Sequence, residues 1–155
     1  GLKAVITQNF GDVEVLAGTA TAGIPHAAWT SQKMVKPMVY VRSEAKSHGK
    51  QNQVEGLLGE GQKVVVVEDL ISTGGSSLKV VDSLVENKAD VLGLVAIFTY
   101  NFEDAANKFK EKNVKYFTLT DYNTLIEVAL EKKYITEEEL AILKEWRKNP
   151  KGYYA

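Results

Sequence analysis

The sequence predicts an α/β domain with a doubly wound, mainly parallel β-sheet flanked by helices. Short apolar runs alternate with stretches whose apolar residues recur at helical spacing, which is the pattern of βαβ units. Residues 64–67 are four valines, as expected of a strand that is buried on both faces of a parallel sheet. A chain of 155 residues is expected to form a single domain, residues 1–155.

The first forty residues predict a helix, a strand, a second helix and a second strand. The opening helix is predicted from apolar residues at near-helical spacing, Leu2, Val5, Ile6 and Phe10, with Gly11 as a cap. We expect strands at residues 13–17 and 38–41, with Pro25 in the first turn of the helix between them. Since Gly1 replaces an initiator Met, we expect a truncated or processed product, with a tag remnant as the alternative.

The remaining elements continue the alternation. After the central strand, one helix is predicted from a buried stripe of Leu78, Val81, Leu84 and Val85. A buried strand at 91–98 and a short strand at 116–119 enclose a helix at 103–112, whose inward residues are Ala105, Ala106 and Phe109. Asp121 is expected to cap a helix that buries Leu125, Val128 and Ala129. Thr136 and Glu139 form a capping-box pattern before a last amphipathic helix with Leu140, Leu143 and Trp146.

Composition excludes several classes of function. The net charge of −1 gives no overall attraction to nucleic acid or to an anionic membrane. The chain has no cysteine, which excludes disulfides, cysteine–zinc sites and thiol nucleophiles and fits a reducing cytoplasm. No apolar stretch reaches the ~18 residues of a membrane span. We therefore expect a cytoplasmic protein with neither a nucleic acid nor a membrane as partner.

An acidic pair, Glu68 and Asp69, follows the valine run and precedes a loop of hydroxyls and glycines that opens a helix. In an open parallel sheet, ligands bind beyond the carboxyl ends of the strands. Glycines let backbone amides approach an anion, and a helix N-terminus adds positive potential. Carboxylates suit sugar hydroxyls and Mg²⁺. The segment therefore predicts a phosphoribose site, although a plain strand–helix junction uses many of the same residues.

Two further segments support this prediction. Residues 42–53 are polar and nearly without apolar anchors, which predicts a mobile loop, and Arg42, Lys46 and His48 place three potential cations in it. Cations on a closing loop stabilise the charge of a departing pyrophosphate and exclude water, whereas an isolated charge run is usually a solvated surface. Residues 18–23 form a small-residue loop after the first strand, which suits a pyrophosphate cradle or a tight turn.

These segments resemble those of the type I phosphoribosyltransferases. Residues 68–76 look like the family's signature for phosphoribosyl diphosphate (PRPP), and residues 42–49, with Arg42, Lys46, His48 and Gly49, are similar to the catalytic loop of the orotate phosphoribosyltransferases. Residues 18–25 match the family's pyrophosphate loop, and the resemblance extends to about Tyr100. It implies the type I phosphoribosyltransferase fold and transfer of phosphoribose from PRPP to orotate. The products would be orotidine 5′-monophosphate and pyrophosphate, with Mg²⁺ as cofactor, in pyrimidine biosynthesis.

The resemblance also implies roles for individual residues. Glu68 and Asp69 would hold the ribose hydroxyls, residues 73–76 the 5′-phosphate, and Ser72 would contact orotate. Catalytic roles are implied for Lys46, Asp69 and Arg42, and the pyrophosphate loop comprises Thr19, Ala20, Thr21, Ala22 and Gly23. PRPP-binding positions are implied at Arg42, Lys46, His48, Glu68, Asp69, Leu70, Ile71, Ser72, Thr73, Gly74, Gly75 and Ser76. No protein ligand of a metal is assigned.

The resemblance further implies a homodimer whose catalytic loop closes over the partner subunit's site. Three positions depart from the common pattern: Ser43 and Ala22 stand where many members have Lys, and Tyr100 falls near an orotate-contacting Arg. We expect the N-terminal segment that forms a hood over orotate to be missing. The alternatives are a phosphoribosyltransferase for another base, a PRPP-binding regulator and a nucleotide-binding domain without catalysis.

Overall fold

The computed structural model describes residues 1–42 and 53–150 of the chain. Within these residues the helices are α1 (Leu2–Asn9), α2 (Gly23–Met34), α3 (Gly75–Glu86), α4 (Glu103–Glu111), α5 (Tyr122–Glu131) and α6 (Glu137–Lys148). The strands are β1 (Val15–Thr19), β2 (Met38–Val41), β3 (Val54–Glu55), β4 (Lys63–Ile71), β5 (Asp90–Thr99) and β6 (Tyr116–Asp121). The predicted loop at residues 42–53 lies outside the described residues except for its two ends.

The six strands form one sheet in the order β3-β2-β1-β4-β5-β6. All neighbouring pairs are parallel except β2 and β3, which are antiparallel. The chain proceeds from β1 to the β2 side and later from β4 to the β5 side. The topology therefore reverses between β1 and β4, and the prediction of a doubly wound, mainly parallel sheet is confirmed.

Each face of the sheet carries its own hydrophobic cluster, because alternate side chains of a strand point to opposite faces. On one face Val64 and Val66 pack with residues of α3 and α4, including Leu84 and Phe109. On the other face Val65 and Val67 pack with residues of α1 and α2, including Ile6 and Ala27. The four valines of β4 are 0% exposed, as the continuous apolar run predicted.

A third cluster lies where α5 and α6 pack at the carboxyl end of β5. Tyr122, Ile126 and Leu140 are buried there, and Tyr100 and Trp146 pack against them. The predicted caps of both helices are confirmed. The Asp121 side chain accepts a hydrogen bond from the Thr124 amide, and Thr136 and Glu139 form the complete capping box.

The buried faces predicted for α3 and α4 are confirmed except at one position each, whereas the face predicted for α5 is wrong. Leu78, Val81 and Leu84 of α3 are buried, but Val85 is 55% exposed and Val80 is buried in addition. Ala106 of α4 is exposed although Ala105 and Phe109 are buried. Leu125 and Val128 are exposed and Ala129 is half-buried, because α5 directs Tyr122 and Ile126 into the third cluster.

Of the strands whose boundaries differ from the prediction, β1 and β4 are the two in which the difference places functional residues. β1 begins at Val15 and extends through Gly18 and Thr19, whose backbone pairs with Tyr40 and Val41 of β2. β4 continues beyond the valines to Ile71, so Glu68 and Asp69 lie within the strand and not after it. No helix among residues 1–42 and 53–150 is long and apolar enough to cross a membrane.

Candidate functional site

The candidate site lies where the direction of the sheet reverses, beyond the carboxyl ends of β1 and β4. β4 pairs with β1 only as far as Val67, and its last residues pair with β5 alone. The end of β1 therefore leaves one side of β4 open at Glu68. Such switch points are the places where open α/β sheets bind ligands.

A cavity of about 970 Å³ occupies this position. Arg42 at the end of β2, the acidic pair on β4 and the start of α3 all contribute to its wall. The lining residues are Thr19, Ala20, Thr21, Ala22, Arg42, Gln53, Glu68, Asp69, Leu70, Gly75, Ser76, Lys79, Val80, Asp82, Ser83, Glu86 and Asn87. The volume is that of a typical small-molecule site.

Glu68 is buried, with 6% of its surface exposed, and its carboxylate is held from both sides. The Thr19 hydroxyl donates a hydrogen bond to Oε1 at 2.5 Å, and the Ser77 hydroxyl donates to Oε2 at 3.1 Å. The backbone amide of Asp69 also donates to Oε1, at 3.1 Å. Glu68 therefore ties β4 to both β1 and α3 and fixes the floor of the cavity.

Burial, together with a smaller contribution from the hydrogen bond with the Asp69 side chain, raises the pKa of Glu68 from 4.5 to about 7. The hydrogen bonds from Thr19 and Ser77 lower the pKa but do not compensate for the desolvation. Between pH 4.5 and 7 the folded chain therefore retains a proton that the unfolded chain has lost. The contribution of Glu68 to stability is complete below the lower pH and is lost as the pH rises through the upper one.

We expect Glu68→Gln to stabilise the free protein at alkaline pH. The amide keeps an acceptor for Thr19 and can donate to Ser77, but it carries no charge to desolvate. The variant should gain on the order of 2 kcal/mol of unfolding free energy at pH 8 and almost nothing at pH 4.5. Denaturant unfolding at both pH values, with the exposed Glu86→Gln as control, measures the difference. An equal effect at both pH values would contradict a cost of ionising Glu68 in the folded protein.

The β4–α3 loop, residues 72–74, leads directly into the first turn of α3. Gly74 has a φ of +75°, a conformation that glycine adopts without strain, and it is the N-cap of the helix. Gly75 and Ser76 follow as the first two helical residues, and both line the cavity. Their free amides and the helix dipole make this end of the cavity suited to an anion.

The β1–α2 loop, residues 20–22, forms the opposite wall. All three residues line the cavity, and Ala22 is the N-cap of α2. Gly23 begins the helix behind this loop, where a Cβ would lie 2.3 Å from Thr19 Oγ1 and 2.5 Å from the carbonyl oxygen of Val67. The absence of a side chain thus lets the start of α2 approach the sheet closely. A second helix N-terminus is thereby brought to the cavity.

The structure brings most of the described sequence-predicted residues together around one cavity. Thr19, Ala20, Thr21, Ala22, Arg42, Glu68, Asp69, Leu70, Gly75 and Ser76 all line it. Arg42 forms an ion pair with Glu55 at 3.6 Å, which draws its guanidinium toward β3. Lys46 and His48 lie outside the described residues.

Five predicted residues do not line the cavity: Gly23, Ile71, Ser72, Thr73 and Gly74. Ile71 is fully buried in the core because it is the last residue of β4 and its side chain points into the sheet face below α3. Gly23 lies behind the β1–α2 loop, and Thr73 and Gly74 lie against Lys108 and Phe109 of α4. The sequence pattern identified the loop but could not show which of its residues face the cavity.

Sequence reasoning missed one side of the cavity altogether. A polar stripe along α3 is formed by Lys79, Asp82, Ser83 and Glu86, and Gln53, which directly precedes β3, also lines the cavity. Their helical spacing is visible in the sequence, but a polar stripe on a helix is normally solvent-exposed, so it gave no distinct signal. Gln53 accepts a hydrogen bond from Ser83, which links β3 to α3 across the cavity wall.

Comparison with known proteins is consistent with this geometry. The model of the phosphoribosyl transferase domain family matches residues 3–133. An orotate phosphoribosyltransferase of Listeria innocua is 63% identical over 149 residues, which cover 96% of this chain and 71% of that protein. One of Staphylococcus haemolyticus is 57% identical over 149 residues, covering 96% and 74%.

Solved structures agree in fold. Orotate phosphoribosyltransferase from Aeropyrum pernix superposes with a TM-score of 0.71 at 32% identity, covering 79% of this chain and 68% of that chain. UMP synthase from Leishmania donovani superposes with a TM-score of 0.78 at 20% identity, covering 94% of this chain and 31% of that chain. The second likeness concerns the fold alone.

Proposed function

Because this chain belongs to the phosphoribosyl transferase family, and within it to the orotate phosphoribosyltransferases, we propose that it transfers phosphoribose from PRPP to orotate in pyrimidine (UMP) biosynthesis. The ring nitrogen of orotate would form a bond to the anomeric carbon of the ribose and release its proton. The bond from that carbon to the diphosphate would break, and its electron pair would leave with pyrophosphate. The other product would be orotidine 5′-monophosphate.

The observation that carries this proposal is an acidic pair between two helix N-termini in one cavity. Glu68 and Asp69 lie on β4, with the start of α2 on one side and the start of α3 on the other. PRPP has the matching order of groups, since its ribose hydroxyls lie between a diphosphate and a 5′-phosphate. Asp69 would accept hydrogen bonds from the ribose, while Glu68 holds the strand end in place.

The remaining residue roles follow the same order along the ligand. Amides and hydroxyls of residues 73–76 would bind the 5′-phosphate, and the β1–α2 loop with Arg42 would bind the diphosphate. Ser72 would contact orotate. Catalysis at the anomeric carbon needs placement, exclusion of water and stabilisation of the leaving group's charge more than it needs acid–base chemistry. Lys46 and His48, by resemblance, would supply that charge together with Arg42.

The residues present fit Mg²⁺ bound mainly by the substrate. Mg²⁺ prefers oxygen ligands and is commonly held by one or two carboxylates plus phosphates. Among the described residues there is no cluster of three His, Cys, Asp or Glu suited to a metal, and the oxygens of Glu68 already accept three hydrogen bonds. Asp69 would therefore be the carboxylate available to a Mg²⁺–PRPP complex. When bound, the ion neutralises charge on the diphosphate.

We further propose that residues 1–155 form one core domain that works as a homodimer in the cytoplasm. The two large clusters on opposite faces of a single sheet support one domain. The dimer, with active sites shared between subunits, is supported by the family to which the chain belongs. Sedimentation at several concentrations tests the dimer directly.

The proposed function is tested by measuring turnover with orotate and comparing it with turnover of other bases. Orotate and PRPP with Mg²⁺ should yield pyrophosphate and orotidine 5′-monophosphate, whereas adenine and hypoxanthine should yield neither. Turnover with a purine base would favour a different phosphoribosyltransferase. Tight PRPP binding without turnover of any base would favour a PRPP-binding regulator.

A further inference from the structure

The β4–α3 loop packs with its outer side against α4. A Cβ built on Gly74 would lie 2.9 Å from Cε2 of Phe109 and 3.7 Å from Cβ of Ala105. Phe109 is itself 1% exposed and belongs to the core. The loop therefore lies directly on a fixed helix surface.

One polar side chain of α4 also contacts this loop. The Lys108 ammonium donates a hydrogen bond to the carbonyl oxygen of Thr73 at 3.4 Å and forms an ion pair with Asp104 at 2.7 Å. The Lys108 side chain is 40% exposed, so it is only partly in solvent. Asp104 lies one helical turn earlier and holds the ammonium at the loop.

This contact fixes the orientation of one peptide group. In a trans peptide the carbonyl oxygen and the following N–H point in opposite directions, and the only cis peptide in the described residues joins Ala20 and Thr21. Because the Thr73 carbonyl points to Lys108 on α4, the Gly74 N–H points away from α4. A rotated Thr73–Gly74 peptide would instead present a carbonyl oxygen, which repels a phosphate.

We propose that Lys108 is a positioning residue for binding the 5′-phosphate. It holds the Thr73–Gly74 peptide so that the N–H points away from α4, toward a phosphomonoester bound at the start of α3. The ligand class is a sugar 5-phosphate, and this inference rests on the proposed function of the same site. Lys108 acts through the loop backbone and not on the reacting carbon, so it should affect affinity more than the chemical step.

The test uses the full chain and two probe ligands, one for each end of the proposed PRPP site. Ribose 5-phosphate probes the β4–α3 loop, and pyrophosphate with Mg²⁺ probes the β1–α2 side. Lys108→Met should weaken ribose 5-phosphate binding, and raise the KM for PRPP, by about three- to tenfold. Pyrophosphate binding and kcat should change less than about twofold. Lys108→Arg keeps a donor and should restore most of the affinity, and Lys110→Met on the exposed side of α4 is the matched control.

Each outcome is decisive. Selective loss of ribose 5-phosphate affinity with rescue by Arg supports the proposal. Unchanged affinity in Lys108→Met overturns it while leaving the proposed function standing. An equal loss for ribose 5-phosphate and pyrophosphate, with a lowered melting temperature, would show a structural role only and overturn it too. A wild-type chain that binds neither ligand would instead overturn the proposed function.

Discussion

Gly23→Ala should destabilise the protein and abolish measurable PRPP binding. The added Cβ would lie 2.3 Å from Thr19 Oγ1 and 2.5 Å from the Val67 carbonyl oxygen, well inside contact distance. The Val67 carbonyl belongs to the central strand and cannot retreat. Moving the Thr19 hydroxyl would break its hydrogen bond to Glu68.

The α2 N-terminus must therefore shift away from the sheet, and the β1–α2 loop must shift with it. We expect a loss of about 2–3 kcal/mol in unfolding free energy, from overpacking and a lost buried hydrogen bond. The wall of the cavity opposite α3 would be displaced at the same time. Denaturant unfolding and PRPP titration measure the two effects separately.

Gly11→Ala is the matched control for this substitution. A Cβ at Gly11 would meet only the Thr7 carbonyl oxygen, at 3.4 Å, and Gly11 lies before the amino end of β1, whereas the cavity lies beyond the carboxyl end of that strand. The control should keep both stability within about 0.5 kcal/mol and PRPP affinity. Normal PRPP binding by Gly23→Ala would contradict the role given to the approach of α2.

Lys46→Ala should reduce turnover by about 100-fold while changing PRPP affinity much less. The expectation rests on the resemblance of residues 42–49 to the family's catalytic loop, since Lys46 lies outside the described residues. A cation that meets the leaving group as its charge develops stabilises the transition state more than the bound substrate. Steady-state kinetics with orotate, together with PRPP titration, give the two quantities.

Lys50→Ala removes a like charge from the same segment and serves as the control. It should leave kcat within about twofold, because no site role falls on that position. If Lys46→Ala weakened PRPP binding as much as it reduced turnover at saturation, the role given to Lys46 would be wrong. Lys46 would then bind the substrate and the transition state equally well and would not stabilise the transition state selectively.

The fold was largely predictable because its signals are local. The four consecutive valines of β4 favour a strand that is buried on both faces. The capping box of Thr136 and Glu139 marks the start of α6 through two hydrogen bonds between residues three positions apart. The buried face of a helix was predicted less well where that helix packs against another helix. α5 buries Tyr122 and Ile126 in an aromatic cluster that forms only once α6 is in place, so the position of Leu125 could not be read from spacing alone.

The sequence identified the segments that form the candidate site, but it did not show how their side chains are arranged around the cavity. The sequence placed Glu68 and Asp69 beside a glycine-rich loop, and the structure adds that both belong to β4. The distinct role of Glu68 comes from Thr19 and Ser77, which are 49 and 9 residues away in the chain. Contacts of that kind depend on strand register, which sequence spacing does not specify.

The most direct test of the central claim is calorimetric titration of PRPP with Mg²⁺ into this chain and into its Asp69→Asn variant. A phosphoribosyl site at the end of β4 predicts saturable binding by the wild type. Asp69→Asn should weaken that binding by about tenfold or more, because a charged acceptor for the ribose hydroxyls is lost. Equal affinity in the two proteins, or no binding by the folded wild type, would contradict the assignment of this cavity to PRPP.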